Sequence, residues 1–406
     1  MKVLYYYDED VGNYMYGNGH PMKPHRVRMA NSLLESYGVL DRLDARNYNH
    51  PCKVEDALVD FHTEDYIDFL KTVSPGNMSD YTDLFVGFNM GEDCPVFDGL
   101  WDYCKKTTSG SIIGATAINE GSHDLAINWS GGFHHAKEGE ASGFCYINDC
   151  VLGILELLKK YYRVLYLDID IHHGDGVEEA FYTTDRVMTC SFHKFGNYFP
   201  DTGYFTDTGY GRGHGYSVNF PLAEGMDDEN FRTIFKPVMS AVMDHYQPQA
   251  VVMQCGADSL SGDRLGCFNL SVRGHGECVE FMKQYGVPIL FLGGGGYTLR
   301  NVARCWAYET SIITGQRMDP LIPDWDNYRG YYGPDFTISP PISNMENQNS
   351  REYLRTSTER VVNLIKENVQ PVSPTISNYT VNPLHNTVNP LFSRENYRAH
   401  DEMALD

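Results

Sequence analysis

The sequence predicts an α/β fold: one domain with a central, mostly parallel β-sheet and helices on both faces. Short β-favouring apolar runs alternate with segments of helical apolar spacing along most of the chain. The strand-like runs are close to continuously hydrophobic, as they are in sheets covered on both faces. Polar and glycine-rich segments follow the ends of several of these runs, where open α/β sheets place their ligands.

In chain order, strands are expected over residues 3–7, 125–128, 164–171, 187–192, 250–255 and 288–292. Helices are expected over 26–37, 63–73, 100–120, 148–161, 228–246, 273–285 and 301–313, each with apolar residues spaced to cover a sheet face. Beyond about residue 367 the pattern fades into Pro, Asn, Ser and Thr, with a small duplication, Thr380-Val381-Asn382-Pro383-Leu384 and Thr387-Val388-Asn389-Pro390-Leu391. The expectation there is a flexible tail over 368–406.

A length of 406 residues with 42% hydrophobic content permits a large core. The formal charge of -22 repels phosphate backbones, so direct nucleic-acid binding is not expected and a basic peptide is the better-matched partner. The 10 cysteines are scattered without a Cys-x-x-Cys pair and read as reduced core thiols. The N-terminus lacks the pattern of a signal peptide and no apolar run approaches membrane-spanning length, so a soluble intracellular protein is expected.

The most informative stretch is Asp168-Ile169-Asp170-Ile171-His172-His173-Gly174-Asp175-Gly176, which follows the apolar run Arg163-Val164-Leu165-Tyr166-Leu167. On a strand, Asp168, Asp170 and His172 share one face. Ionisable groups on a core strand cost several kcal/mol each if unpaired, and a cation is the simplest compensation. A hydrolytic metal site needs three protein ligands and an open position. Asp170, His172 and Asp258 can supply them, although spacing alone does not choose between Asp168 and Asp170, and iron or manganese is also compatible with an oxygen-rich set. His134-His135 follows a Gly-Gly turn, and Asp168 and Asp175 are available to orient the two imidazoles as His-Asp dyads beside a metal. Gly293-Gly294-Gly295-Gly296-Tyr297 has neither a Lys-Ser/Thr pair after it nor a dinucleotide fingerprint, which argues against nucleotide binding. Four glycines instead permit close backbone approach and can present the Tyr297 hydroxyl to a developing oxyanion.

These motifs resemble those of the class I zinc-dependent histone deacetylases. The resemblance covers residues 1–315 and weakens toward 367. It is carried by Gly19-His20-Pro21-Met22-Lys23-Pro24-His25-Arg26, Phe133-His134-His135-Ala136, Ser142-Gly143-Phe144-Cys145-Tyr146, the aspartate-histidine stretch, Gln254-Cys255-Gly256-Ala257-Asp258-Ser259, Arg273-Gly274-His275-Gly276 and the glycine run. It implies an arginase/deacetylase-like fold, a catalytic domain over 1–367, and hydrolysis of acetyl-lysine on histone tails. It further implies Zn2+ on Asp170, His172 and Asp258, with His134, His135, Asp168, Asp175 and Tyr297 as catalytic residues. A structural monovalent cation, K+, is implied at Asp168, Asp170, His172, Ser191 and Phe192, and a second at Phe181, Thr184, Val187 and Tyr216. Asp93, Gly143, Phe144, Phe199 and Leu265 match substrate-binding positions. Gly19, Lys23, Arg264 and Arg300 match an inositol polyphosphate site, where Met15 departs from the usual histidine. The segment 202–215 also departs from the usual loop. Corepressor proteins, an indirect association with chromatin, transcriptional repression and a nuclear location, with the cytoplasm also open, are implied as well.

Other readings are an acetylpolyamine amidohydrolase of the same broad fold, to be separated by small-molecule substrate competition, and a recruiting scaffold with negligible turnover of its own. A two-metal manganese ureohydrolase would need further bridging carboxylates, and Tyr297 stands at the anion-stabilising position instead.

Overall fold

A computed structural model describes residues 2–48 and 54–370 of the chain. Its eight strands are β1 (Val3–Tyr6), β2 (Asp44–Arg46), β3 (Leu125–Asn128), β4 (Val164–Asp168), β5 (Val187–Lys194), β6 (Ser217–Leu222), β7 (Ala250–Gln254) and β8 (Ile289–Leu292). They form one sheet in the order β2-β1-β3-β8-β7-β4-β5-β6, and every neighbouring pair is parallel. The α-helices are α1 (His25–Ser36), α2 (Val54–Leu58), α3 (Glu64–Thr72), α4 (Thr82–Phe85), α5 (Leu100–Glu120), α6 (Asp149–Leu158), α7 (Asp175–Phe181), α8 (Asp228–His245), α9 (Val272–Lys283), α10 (Leu299–Thr314) and α11 (Arg351–Asn368).

Alternation along each strand divides the core between the two faces. Tyr5, Leu165, Leu167, Val251, Met253, Ile289 and Phe291 point to the side covered by α1, α8, α9 and α10. Leu4, Tyr6, Val164, Tyr166, Val252, Leu290 and Leu292 point to the side covered by α3, α5 and α6. Helix α5 lies close against the sheet because Gly110 and Gly114 carry no side chain. A Cβ at Gly114 would stand 2.8 Å from Leu290, nearer than packed carbons approach.

The topology explains how separate segments meet. After β3 the chain leaves a gap, builds β4, β5 and β6 beyond it, and then returns to insert β7 and β8 between β3 and β4. The adjacent strands β3, β8, β7 and β4 therefore end side by side, and the segments after them form one rim.

Several elements were not expected from the sequence. Edge strand β2 is three residues of polar character, and edge strand β6 contains Pro221, which an edge tolerates because it need not donate to a further strand. Helix α11 packs on α8 with a sparse buried stripe, Leu354, Ser357, Val361 and Ile365, and its remaining residues are polar enough to hide the period. Helices α2 and α4 are too short for a periodic signal. The strand expected over 164–171 stops at Asp168. There Asp168 Oδ1 accepts from the Asp170 amide at 3.1 Å, and Asp170 Oδ1 accepts from the His172 amide at 3.0 Å. These two successive aspartate turns replace the strand ladder. Of the expected tail, residues 371–406, including both copies of the duplicated segment, lie outside the described residues. The described cysteines are all free thiols, and all but Cys267 are buried.

Candidate active site

The bend after β4 changes what the aspartate-histidine stretch presents. Asp168 faces the segment after β3, where its Oδ2 lies 2.7 Å from His134 Nδ1 and 2.7 Å from the Tyr166 hydroxyl. Asp170 and His172 face the segment after β7, where they meet Asp258. His172 Nδ1 lies 3.1 Å from Asp170 Oδ1 and 3.1 Å from Asp258 Oδ2. These three buried side chains form a group whose donor atoms all lie within 4.8 Å of one another and could hold a metal ion. Asp168 is not part of that group, because the turn rotates its carboxylate away.

Physical chemistry favours a cation there. Burial, then the charge of Asp170, pushes Asp258 up to about 7. Burial disfavours charge on His172 too, but its hydrogen bonds with Asp170 and Asp258 raise it to about 10. A proton on Nδ1 therefore holds two carboxylates together at the point where a divalent ion would relieve the repulsion outright. The backbone leaves room for no bulkier packing: a Cβ on Gly256 would lie 2.8 Å from Asp170 Cβ, and one on Gly295 would lie 2.7 Å from Asp258 Cγ. Gly295 also donates its amide to Asp170 Oδ2 at 2.8 Å, and Gln254 Nε2 donates to the same oxygen at 2.9 Å. Two carboxylates and one imidazole make a donor set suited to a zinc site with an open position.

The two imidazoles beside this group differ. His134 is buried, which disfavours its charge, yet the carboxylates of Asp168 and Asp170 raise it to about 9. His135 has Nδ1 2.7 Å from Asp175 Oδ1. Burial and the charge on His134 outweigh that partner and pull it down to about 3. The Asp175 carboxylate also accepts from Lys137 Nζ at 2.6 Å, and Lys137 reaches Glu179 at 3.1 Å. One histidine is thus suited to hold a proton and the other to take one.

Gly143 and Phe144 both have positive φ, which turns the Phe144 ring edge-on to Tyr297 at 5.7 Å between centroids. Phe199 stands edge-on to His135 at 4.9 Å, and Tyr198 stacks on His172 at 5.1 Å. A Cβ on Gly143 would lie 2.8 Å from Phe199, so the glycine keeps the gap between the rings open. Burial keeps the Tyr297 phenol neutral well above its usual range, which preserves a hydrogen-bond donor. The amides of Tyr297 and Thr298 are held by Asp263.

A histone deacetylase domain model matches residues 20–313. Histone deacetylase 1 of Homo sapiens is 58% identical over 360 residues, which cover 89% of this chain and 74% of the human protein. The chain belongs to the histone deacetylase family. Histone deacetylase 1 of Oryza sativa subsp. japonica is 58% identical over 361 residues, covering 89% of this chain and 69% of that one. Histone deacetylase HDAC1 of Drosophila melanogaster is 55% identical over 369 residues, covering 91% and 70%. These relatives place the deacetylase in class I, and its eight-stranded parallel sheet with surrounding helices is the arginase/deacetylase-like architecture. No helix among the described residues is long and apolar enough to cross a membrane.

The remaining expected positions of the deacetylase fall into distinct regions. Ser191 pairs with Asp168 across β4 and β5, and Phe192 follows it. Phe181, Thr184, Val187 and Tyr216 lie at the opposite end of β5, where α7 ends and β5 and β6 begin. The Asp93 carbonyl oxygen accepts from His20 Nε2 at 3.1 Å, and the His20 ring meets Phe144 edge-on at 4.7 Å. Leu265 is exposed, and its carbonyl accepts from Tyr198 at 3.0 Å. Exposed Arg264 and Arg300 sit on segments joined through Asp263. Lys23 donates to Gly17 O at 3.4 Å, close to Gly19, and precedes α1, which packs on α10.

Sequence reasoning gave no role to Tyr166, Lys137, Tyr198, Gln254 or Arg26. Tyr166 could have been found from strand period alone, since it stands two residues before Asp168 on the same face. Arg26 lay within a quoted motif, and its guanidinium donates to Gly296 O at 2.7 Å and Gly294 O at 2.5 Å, fixing the glycine run. Gln254 likewise lay within the Gln254–Ser259 motif, whereas Lys137 and Tyr198 act across elements and no local pattern marks them.

Proposed function

We propose that this deacetylase is a zinc-dependent protein lysine deacetylase that hydrolyses acetyl-lysine on histone tails, and so regulates chromatin. One observation carries the reading: the Asp170, His172 and Asp258 group stands beside the His135-Asp175 pair and the Phe144-Tyr297 pair on one sheet rim. Asp170, His172 and Asp258 would hold the zinc ion, which when bound polarises the acetyl carbonyl and acidifies water.

The chain's own residues supply the rest. Phe144 and Phe199 flank the acyl-lysine stem, Gly143 leaves space between them, and Leu265 and Asp93 stand at the rim. Asp175 fixes the His135 tautomer through Nδ1, so the free Nε2 accepts a proton from the attacking water and returns it to the leaving lysine amine. Lys137 holds Asp175 ionised. His134, kept protonated by Asp168, stabilises the negative charge that develops as water adds to the carbonyl. The Tyr297 hydroxyl donates to the same oxygen. Acetate and a free lysine are the products.

The finer assignments belong to the same reading. Potassium ions bind at the Asp168, Asp170, His172, Ser191, Phe192 set and at the Phe181, Thr184, Val187, Tyr216 set. Gly19, Lys23, Arg264 and Arg300 form an inositol polyphosphate site where a corepressor docks, and the protein acts in the nucleus. Residues 1–367 form the catalytic domain.

Acetate release from an acetylated histone-tail peptide by zinc-loaded protein tests the proposal, with His135→Ala prepared identically. Release that is lost in the variant is the expected result. Equal release by both proteins, or none from the parent with corepressor and inositol phosphate added, would refute it.

A further inference from the structure

Behind the loop that carries Asp258 lies a second compact group, His275 on α9 with Cys305 and Glu309 on α10, and all three are fully buried. We propose that the His275-Glu309 pair is a positioning device for that loop, setting metal affinity through the Gly256 carbonyl. This rests on the assignment of Asp258 as a metal ligand.

His275 Nε2 lies 2.9 Å from Gly256 O. A carbonyl can only accept, so Nε2 carries the hydrogen and fixes the tautomer. On the other side of the ring Nδ1 meets Glu309 Oε1 at 2.5 Å and Cys305 Sγ at 3.4 Å. Both nitrogens are therefore engaged, and the ring is a strut between helix α10 and Gly256. The opposite face of Gly256 has no room for a side chain, since a Cβ there would stand 2.5 Å from Asp170 Cγ, and its amide donates to Gln254 Oε1 at 2.7 Å. The two peptide units that flank Gly256 are held at their other ends as well, with the Ala257 amide donating to Gly295 O at 2.9 Å and Trp306 Nε1 donating to Cys255 O at 2.9 Å. Asp258 follows two residues later, so this clamp fixes the backbone from which its side chain reaches the Ile171 amide and His172.

Energetics point the same way. A buried polar pair of this kind adds little stability, since apolar side chains of similar volume are often as good or better. One Glu309 oxygen has no hydrogen-bond partner among the described residues, so the pair is not saturated. The arrangement is better accounted for by the orientation that it imposes on Gly256.

The test uses the full-length chain stripped of metal and titrated with Zn2+ against a chromophoric chelator. His275→Leu/Glu309→Leu removes the pair without leaving an unpaired charge. It is expected to keep the melting temperature of the metal-free protein and to raise the Zn2+ Kd about tenfold or more. Glu309→Gln, whose side-chain amide can pair with Nδ1 as donor or acceptor, is expected to keep the parental Kd. A double variant that folds and binds Zn2+ as the parent does would overturn the proposal. Should it not fold, His275→Phe/Glu309→Leu takes its place with the same expected loss of affinity, and failure of both to fold would make the pair structural and overturn the proposal too. Two zinc ions per chain, one lost with the pair, would overturn it in favour of an ion at His275. Asp258→Asn separates the layers: unchanged affinity in that variant refutes the ligand assignment, whereas lost affinity there with parental affinity in the double variant refutes this proposal alone.

Discussion

Gly295→Ala adds one methyl group at the point where the two carboxylates of the proposed metal site are held. The new Cβ would stand 2.7 Å from Asp258 Cγ and 3.0 Å from Asp170 Oδ2. Packed carbons sit ~3.5 Å apart, so the Asp258 carboxylate must move by close to ~1 Å. It has no cheap way to do so, because its Oδ1 accepts from the Ile171 amide at 3.0 Å and its Oδ2 meets His172 at 3.1 Å. Asp170 is held equally firmly by Gln254 and by the Gly295 amide itself. Overpacking of this kind costs about 1–3 kcal/mol of stability, and a displacement of ~1 Å in reacting geometry costs about 100-fold in rate. The assay is kcat on an acetylated histone-tail peptide alongside the Zn2+ Kd and the melting temperature. Gly91→Ala is the control, since a Cβ there meets nothing within 4 Å. The expected result is a loss of about two orders of magnitude in kcat, a weaker Zn2+ Kd and a folded protein. Activity within threefold of the parent at parental Kd would show that the carboxylates are not held as argued.

Tyr297→Phe removes the hydroxyl proposed to donate to the oxyanion, and kcat should fall by about 100-fold or more with KM little changed; an unchanged kcat would remove Tyr297 from the mechanism. Lys137→Met deletes a positive charge next to Asp175, so His135 feels more of that carboxylate and becomes more basic. The acid limb of the kcat/KM profile should then move to higher pH, and a stationary limb would rule out coupling through Asp175. His62 is buried, and burial pulls its imidazole down to about 4, while its Nε2 accepts from the Asn148 amide at 3.0 Å. Its folded pKa lies below the unfolded value, so the unfolded chain binds the proton more readily and acid favours unfolding between about pH 6.5 and 4. The contribution is fully present above that range, and about 2 kcal/mol of it should be lost by pH 5. Denaturant titrations of the parent and His62→Gln at pH 7.5 and pH 5 check this, and equal pH sensitivity of the two would remove His62 as the cause.

Much of the fold was legible locally. The strands β1, β3, β4, β5, β7 and β8 are apolar runs that no solvated segment would contain, and α1, α3, α5, α6, α8, α9 and α10 show their buried stripes in the spacing of apolar residues. The edges were not legible, because β2 is only three partly exposed residues, β6 is buried but its run is broken by Ser217, Asn219 and Pro221, and α11 covers the sheet with a stripe of only four buried residues. The bend at Asp168 was hidden for a different reason. An aspartate turn competes with a strand through one side-chain hydrogen bond, and alternation in the sequence looks the same in either case.

By itself the sequence determined which chemistry was present: an aspartate-histidine stretch, a histidine pair, a distant aspartate and a tyrosine behind glycines, in motifs specific enough to identify the family. What only the tertiary structure decided was which of these groups touch. Strands β7 and β8 enter between β3 and β4 after both have been made, and this brings Asp258 and the glycine run to His134, His135 and Asp170 from more than a hundred residues away in some cases. Long-range juxtaposition of that kind leaves no periodic trace, because it depends on strand order and not on local spacing. The same is true of Lys137 beneath Asp175 and His275 behind Gly256, whose roles come from single hydrogen bonds across elements that the chain reaches separately.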